Sequence, residues 1–247
     1  MHSWRAVRIT CTLLLLLPIV HLAYLISRDT IAALDSSPEA REREVNNYAA
    51  ADAGTRLPQD PVVVVGGRRV KLWRDLADLL APRPVLMRGL GDAIVEDISF
   101  NYMRLVGFYR PDTVVLLPDN SEFHLRDNKS ATELAAAIHE LVELDASFGI
   151  TRRFYVFAPI KTILRPQDYP TIEEVTQLLR AWADTDQHVA LLDPNPLLCD
   201  PDGKPRGVYF RSDGINLNEH GYLRLSVLLS TRLEADAAAD LANSSLP

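Results

Sequence analysis

From residue 61 onward, short apolar runs alternate regularly with amphipathic segments. The run at residues 62–65 is an unbroken series of valines, which is typical of a strand that is covered on both faces. Later runs have the same character, and together they predict strands at residues 62–65, 84–87, 113–117, 154–157 and 189–192. We expect about five parallel strands in one sheet, because strands that alternate with helices form right-handed crossover units.

The segments between these runs carry apolar residues at helical spacing. They predict helices at residues 70–80, 94–109, 130–148, 171–183 and 219–233. Two of these helices begin with a capping-box pattern, Ser130 with Glu133 and Thr171 with Glu174. Helices on both faces of a parallel sheet make a three-layer α/β/α, flavodoxin-like domain, which we assign to residues 61–235.

The N-terminal segment is apolar without interruption. Residues 9–27 contain no Asp, Glu, Lys or Arg, and as a helix they would span about 28 Å, close to the thickness of a bilayer core. Arg5 and Arg8 precede this run, so the positive-inside rule keeps the N-terminus in the cytoplasm. We therefore predict a single-pass inner-membrane anchor at residues 1–28, with the domain in the periplasm, on the exterior side of a bacterial cell. A cleaved signal peptide is the alternative.

Two polar segments flank the predicted domain. Residues 29–60 are rich in Glu, Arg and Ala, which predicts a partly helical stalk between the membrane and the domain. Residues 236–247 are rich in Ala and Ser, and we expect them to form a flexible tail.

Charge and cysteine usage narrow the function classes. The formal net charge is −7 and no basic tract offsets it, which argues against a nucleic-acid partner. Cys11 lies in the apolar N-terminal segment and Cys199 lies in a loop rich in Pro and Asp, so we do not expect them to form a disulfide. Neither belongs to a Cys-x-x-Cys pair. The sequence therefore predicts no metal site and no cofactor.

The stretch from Ser212 to Tyr222 is the most specific motif in the chain, and it reads Ser-Asp-Gly-Ile-Asn-Leu-Asn-Glu-His-Gly-Tyr. It resembles the last motif of the SGNH/GDSL hydrolases, in which an Asp orients the His that deprotonates a serine. Asp213 fits the Asp of that family, but Asn216 stands where the family has its His. An amide has no titratable nitrogen near neutral pH, so Asn216 cannot act as a general base.

Three earlier motifs of that family can be aligned at the ends of the first three predicted strands. Arg68 stands at the position of the serine nucleophile, within the sequence Gly-Gly-Arg-Arg-Val-Lys-Leu-Trp. Gly91 fits the glycine whose backbone N–H binds the oxyanion, and Asp92 follows where the family has a small residue. Ser121 falls at the position of the oxyanion-hole Asn, although a shift of one residue places Asn120 there instead.

The resemblance implies a hydrolase scaffold on which the catalytic residues are replaced. We interpret the protein as a degenerate SGNH-hydrolase-like protein that acts as a binding or assembly partner in the cell envelope, where an envelope protein or a glycan is its partner. One alternative is a divergent esterase or O-acyltransferase that acts on acylated envelope glycans or lipids. Another is a binder of anionic headgroups through a basic turn.

Several polar side chains are predicted to meet at the carboxyl edge of the sheet, where ligands normally bind. The candidates for ligand binding are Arg68, Arg69, Arg88, Asp92, Asn120, His124 and His220. His124 and His220 are the imidazoles to consider as a replacement base. With Lys71 and the glycine turn, the arginines could form an anion site.

An ionic cluster is the other interpretation of the basic turn. In this hypothesis Arg68 pairs with one or more of the carboxylates that follow the strands and fills the former active site. Its possible partners are Asp92, Asp119 and Asp213. A buried Arg68 would then be essential for stability, because its removal strands buried negative charge.

Overall fold

The computed structural model describes residues 4–34, 38–124 and 127–244. Within these ranges, five strands form one parallel sheet in the order β2-β1-β3-β4-β5. The strands are β1 Val62–Gly66, β2 Val85–Gly89, β3 Thr113–Leu117, β4 Arg153–Phe157 and β5 Val189–Leu192. The predicted parallel sheet is confirmed, with β2 extended to Gly89 and β4 begun at Arg153.

Both faces of the sheet are buried, as the valine run predicts. Val63 and Val65 lie in the hydrophobic core on one face, and Val62 and Val64 lie in the core on the other. The alternation follows from the two-residue period of a strand, which points successive side chains to opposite faces. A strand of this kind has no face that tolerates polar residues.

Helices cover both faces. In chain order they are α1 Trp4–Leu34, α2 Glu42–Asp52, α3 Arg68–Leu72, α4 Leu76–Leu79, α5 Val95–Phe100, α6 Tyr102–Leu105, α7 Ala131–Phe148, α8 Tyr169–Ala183, α9 Asn195–Leu198 and α10 Glu219–Ser244. Leu134 of α7 and Val175 of α8 lie in the same core as Val63. Val70 of α3 and Leu225 of α10 pack on the opposite face. The predicted three-layer α/β/α architecture is therefore confirmed.

The prediction of one helix at residues 70–80 is wrong. The chain leaves helical geometry at Trp73, where ψ is 76°, and returns to it in α4. The indole N–H of Trp73 donates a hydrogen bond to Ser226 Oγ at 3.0 Å. Its buried ring packs against Phe157 and Tyr222. Burial of this large aromatic side chain outweighs the helical preference of the segment.

The helix predicted at residues 94–109 is likewise divided, into α5, α6 and a 3₁₀ turn at Gly107–Tyr109. Asn101 separates α5 from α6, and its side-chain amide donates a hydrogen bond to the carbonyl oxygen of Asp97 at 2.9 Å. Asn side chains that bond to the preceding turn compete with helix continuation.

One of the two capping boxes is confirmed. The Glu133 N–H donates to Ser130 Oγ at 3.3 Å, and the Ser130 N–H donates to the Glu133 carboxylate at 2.8 Å. The second prediction is wrong, because α8 already begins at Tyr169 and Thr171 lies inside its first turn.

Helix α10 continues past the predicted end at residue 233 to Ser244. The Tyr155 hydroxyl of β4 donates a hydrogen bond to Asp236 at 2.7 Å. Farther along the helix, Asp240 forms an ion pair with Arg152. The sequence predicts a flexible tail from residue 236 onward. These contacts instead hold Asp236 and Asp240 against the start of β4.

Helix α1 is long and apolar enough to cross a membrane. The window Thr10–Ser27 has a mean hydropathy of 2.0, and none of it is buried within the described structure. This agrees with the apolar run from which the anchor is predicted. A signal sequence near an N-terminus has the same properties.

Helix α2 lies in the segment that the sequence predicts to be a stalk, and it packs onto the domain. Its Val45 is only 1% exposed and belongs to the core on the Val63 face. A 3₁₀ turn at Pro38–Arg41 precedes it, and the Arg41 side chain is also buried. This part of the stalk is therefore a folded element of the domain.

We expect Val45→Ala to lower the free energy of unfolding by about 1–3 kcal/mol, because it leaves a cavity beneath α2. The matched control is Val227→Ala in α10, whose side chain is 52% exposed. The control should change stability by less than about 0.5 kcal/mol. Urea denaturation of the full chain in detergent measures both changes, and equal values would mean that α2 is not part of the folded domain.

Candidate functional site

The turn that follows β1 is held tightly against the turn that follows β3. Gly66 has a φ of 155°, and a Cβ atom at this position would lie 2.2 Å from the carbonyl oxygen of Leu117. A Cβ atom on Gly67 would lie 2.6 Å from Asp119 Oδ2. Only glycine permits so close an approach. The glycine pair thus places the start of α3 at the carboxyl edge of the sheet.

Arg68, at the family's nucleophile position, is the first residue of α3 and forms a bidentate ion pair. Its Nε and Nη2 donate to the two carboxylate oxygens of Asp92 at 3.1 and 2.6 Å. These hydrogen bonds raise the pKa of Arg68 above its ordinary value, so the side chain is a permanent cation. A guanidinium has only donors and cannot attack an acyl carbon.

The buried arginine of the site is Arg69, which corrects the hypothesis of a buried Arg68. The Arg68 side chain is 53% exposed, whereas that of Arg69 is 0% exposed. Arg69 Nη1 lies 3.7 Å from Asp119 Oδ1, and Nη2 donates to the carbonyl oxygen of Ile215 at 3.3 Å. Arg69 therefore connects the turn after β3 to the loop that precedes α10.

The backbone donor of the oxyanion position is already in use. The Gly91 N–H points at the Glu44 carboxylate, with nitrogen-to-oxygen distances of 3.2 and 3.1 Å to its two oxygens. Glu44 Oε2 also accepts a hydrogen bond from Lys71 Nζ at 2.6 Å. A carboxylate thus lies at the backbone N–H that the motif alignment assigns to the oxyanion hole, where it would oppose a developing negative charge.

Sequence reasoning missed Glu44. It lies in α2, within the segment predicted to be a stalk, and 47 residues before its partner Gly91. The only sequence signal is the density of Glu and Arg around residues 38–45, which does not indicate contact with a particular strand.

Of the two candidates for the oxyanion-hole amide, Ser121 has a side-chain hydrogen bond, whereas the buried Asn120 Oδ1 has no hydrogen-bond partner. Ser121 Oγ donates a hydrogen bond to the carbonyl oxygen of Ala93 at 3.0 Å. Asn120 begins a 3₁₀ turn, Asn120–Glu122, and its backbone N–H donates to Asp119 Oδ1 at 2.7 Å. The Ser121 hydroxyl therefore joins the loops after β2 and β3 and does not point its proton at an acyl site.

Asp213 and Asn216 stabilise a turn. Asp213 Oδ1 accepts the backbone N–H groups of Ile215 and Asn216 at 2.9 and 2.8 Å, and its Oδ2 accepts the Asn216 side-chain amide at 2.8 Å. Partial burial raises the pKa of Asp213. The hydrogen bonds together lower it by more, so the pKa of Asp213 lies below its ordinary value. The Asp orients its partner as in the resembled motif, and the partner is an amide.

The two candidate histidines lie near the starts of two different helices, α8 and α10. His124 Nε2 lies 2.6 Å from Asp168 Oδ2, in a pair at the start of α8. His220 is exposed in the first turn of α10. Neither has a described contact with Arg68 or Asn216, the positions of the family's nucleophile and base.

Each basic residue of the predicted anion site has a carboxylate partner. The pairs are Arg68 with Asp92, Arg69 with Asp119, Lys71 with Glu44, and Arg88 with Asp52. The pairing supports the hypothesis of an ionic cluster, formed by more residues than the sequence indicated. It leaves little uncompensated positive charge for an anionic ligand.

A separate cleft of about 560 Å³ opens at the far end of the carboxyl edge, between α8 and the loop after β5. Lys161, Thr176, Asp193 and Cys199 contribute to its wall. Among the described residues, no group of three or more His, Cys, Asp or Glu side chains could hold a metal ion.

The difference in burial between Arg68 and Arg69 can be tested by substitution. We expect Arg69→Ala to lower the free energy of unfolding by about 3–5 kcal/mol, because it leaves the buried Asp119 without its cation. Arg68→Ala removes a solvent-exposed ion pair and should cost less than about 1 kcal/mol. Urea denaturation measures both, and a larger loss for Arg68→Ala would contradict this assignment.

No family model matches the chain, and no curated protein matches it. Solved structures do match. A Bacteroides fragilis protein named an acylhydrolase superposes with a TM-score of 0.68 at 18% identity, covering 77% of this chain and 96% of that chain. A GDSL-like lipase from Bacteroides thetaiotaomicron gives 0.65 at 16% identity, with coverage of 78% and 98%. The lipase/acylhydrolase from Enterococcus faecalis gives 0.58 at 16% identity, with coverage of 71% and 96%.

At these identities the likeness concerns architecture alone. It covers nearly the whole length of each of the three solved structures. The chain has the SGNH/GDSL hydrolase-like fold.

Proposed function

We propose that the protein is a catalytically degenerate member of this fold that binds or assembles with a partner in the cell envelope, and that it does not hydrolyse esters. The observation that carries the proposal is the hydrogen bond from the Gly91 N–H to the Glu44 carboxylate. It occurs at a site where Arg68 and Asn216 occupy the positions of nucleophile and base.

Each of these features opposes acyl transfer for a different physical reason. Removal of a nucleophile or base from a triad costs several orders of magnitude in rate. A carboxylate beside the oxyanion donor repels the negative charge that develops on the acyl oxygen. A substrate would also have to displace Glu44 from both Gly91 and Lys71 before its carbonyl could reach the donor.

The proposed location follows from α1. Its apolar window Thr10–Ser27 fits a single-pass anchor, and Arg5 and Arg8 before it support an N-terminus in the cytoplasm. The domain then lies in the periplasm, tethered to the inner membrane, where an envelope protein or a glycan is within reach as a partner.

The alternative of a divergent esterase or O-acyltransferase draws support from the names of the structural neighbours, which include lipases and a carbohydrate esterase from Clostridium thermocellum. It requires a nucleophile outside the family position and the departure of Glu44. The headgroup-binding alternative requires the cations of the basic turn to leave their carboxylates.

We expect the full chain in detergent to show no turnover of a short-chain nitrophenyl ester above the rate without protein. The double variant Arg68→Ser/Asn216→His should also be inactive, because Glu44 still binds the Gly91 N–H. Release of nitrophenol is the measurement. Turnover that a serine-directed phosphonate abolishes in the unmodified protein would overturn the proposal and favour the esterase alternative.

We expect a C-terminal alkaline phosphatase fusion to be active, because the domain lies outside the cytoplasm. The protein should also remain in the membrane fraction after a high-salt wash, with its N-terminal residues intact by mass spectrometry. An inactive fusion would indicate that the domain lies in the cytoplasm. A soluble, shortened form would mean that α1 is a cleaved signal.

A further inference from the structure

Three large apolar side chains stand out on the outer surface of the segment from α5 to the 3₁₀ turn. Phe100 is 60% exposed, Met103 is 52% exposed and Phe108 is 63% exposed. We call these three residues the 100–108 patch. Met103 covers Gly107, since a Cβ atom there would lie 2.7 Å from its sulfur, and Phe108 follows directly. Three exposed large apolar side chains within nine residues make this segment a candidate interaction surface.

The segment that carries the 100–108 patch is folded onto the domain. The same stretch buries Tyr102 and Leu105 in the core, at 1% and 0% exposure. The segment is therefore apolar on its inner face, which packs against the domain, and apolar again on its outer face. The inner face contributes to the core, and the outer face is available for contact with another surface.

The patch adjoins the point where the chain comes from α1 into the domain. The 3₁₀ turn at Pro38–Arg41 packs beside α5, where Arg41 Nε lies 3.8 Å from Asp97 Oδ2. Farther along, Arg104 of α6 donates a hydrogen bond to Asn46 of α2. The first residues of the domain and the 100–108 patch are thus on the same side of the molecule.

The connection to α1 is short. The four Cα-to-Cα steps from Leu34 to Pro38 span at most about 14 Å. The helical residues between Ser27 and Leu34 add about 10 Å. Pro38 therefore lies within about 25 Å of the apolar window, and the polar layer of a bilayer takes up roughly 5–8 Å of that distance.

We propose that the 100–108 patch rests in the interface of the same bilayer that α1 crosses, so that the domain lies on the membrane surface. The proposal rests on the membrane anchoring proposed above. Phe and Met side chains suit the boundary between headgroups and acyl chains, where apolar area is buried while nearby polar groups stay in water.

Apolar insertion, and not charge, is the basis of this contact. Arg104 and Arg110 are exposed near the patch, but Glu39 and Glu42 are exposed on the adjoining segment. These opposite charges give no clear preference for an anionic surface. We therefore expect the contact on a zwitterionic bilayer as well, and the test uses phosphatidylcholine vesicles.

The test is a depth measurement on the full chain in vesicles whose acyl chains carry bromine, which quenches fluorescence on contact. With both cysteines replaced by serine, a single Phe108→Cys substitution carries an environment-sensitive nitrobenzoxadiazole label. Val227→Cys, on the opposite face of the domain, is the matched control, because its side chain is 52% exposed. Leu22→Cys in α1 reports on the anchor itself.

We expect bromolipid to quench the labels at positions 108 and 22 and to leave the label at position 227 unchanged. The label at position 108 should also shift its emission to shorter wavelength. Adding Phe100→Ser and Met103→Ser should abolish quenching at position 108, because these exposed side chains hold the patch in the interface.

The opposing outcomes are distinct. Quenching at position 22 without quenching at position 108 would contradict the contact between the patch and the bilayer, and it would support the membrane anchor. If iodide in the water also fails to reach position 108, a second copy of the chain covers the patch in place of lipid. Lack of quenching at position 22 would overturn the anchor and, with it, the proposed partner of the patch.

Discussion

The ion pair between Arg88 and Asp52 is the constraint on which the closed site depends. Arg88 lies near the end of β2 with its side chain buried, and its guanidinium is held between the rings of Tyr48 and Tyr109, 4.9 and 4.5 Å from their centroids. A buried cation is costly unless a carboxylate compensates it. Asp52 supplies that carboxylate from the end of α2, at 2.9 Å. Helix α2 must therefore lie across the sheet edge.

Once α2 is fixed at that end, its other contacts follow. The Tyr48 hydroxyl donates to the carbonyl oxygen of Gly89 at 2.6 Å, and Val45, one turn earlier, enters the core. Residues three and four apart lie on one face of a helix, so Glu44 faces the same edge and reaches Gly91. The hydrogen bond between the Gly91 N–H and Glu44 thus follows from the way in which α2 compensates the buried charge of Arg88.

The sequence predicts the sheet well because parallel strands buried on both faces leave continuous apolar runs, as at residues 62–65. It predicts the helices less well where one side chain decides the geometry, as Trp73 does by leaving the helix to reach Ser226. At the site, motif alignment predicts that Arg68, Gly91 and Asp213 lie at the carboxyl edge of the sheet. It cannot tell which of two neighbouring arginines turns inward, because that depends on the rotation of α3. Contacts such as Glu44 with Gly91 join distant segments and carry no local signal.

Four polar groups of the candidate site already have partners within the chain. A catalytic site keeps donors and charges unsatisfied until substrate arrives, and it does so at a cost in stability. Here the Gly91 N–H, Asp92, Asp119 and Asp213 each have an intramolecular partner. These four groups therefore contribute to the stability of the fold. Because these groups are paired within the chain, recognition of the partner proposed above would fall to surfaces outside the candidate site.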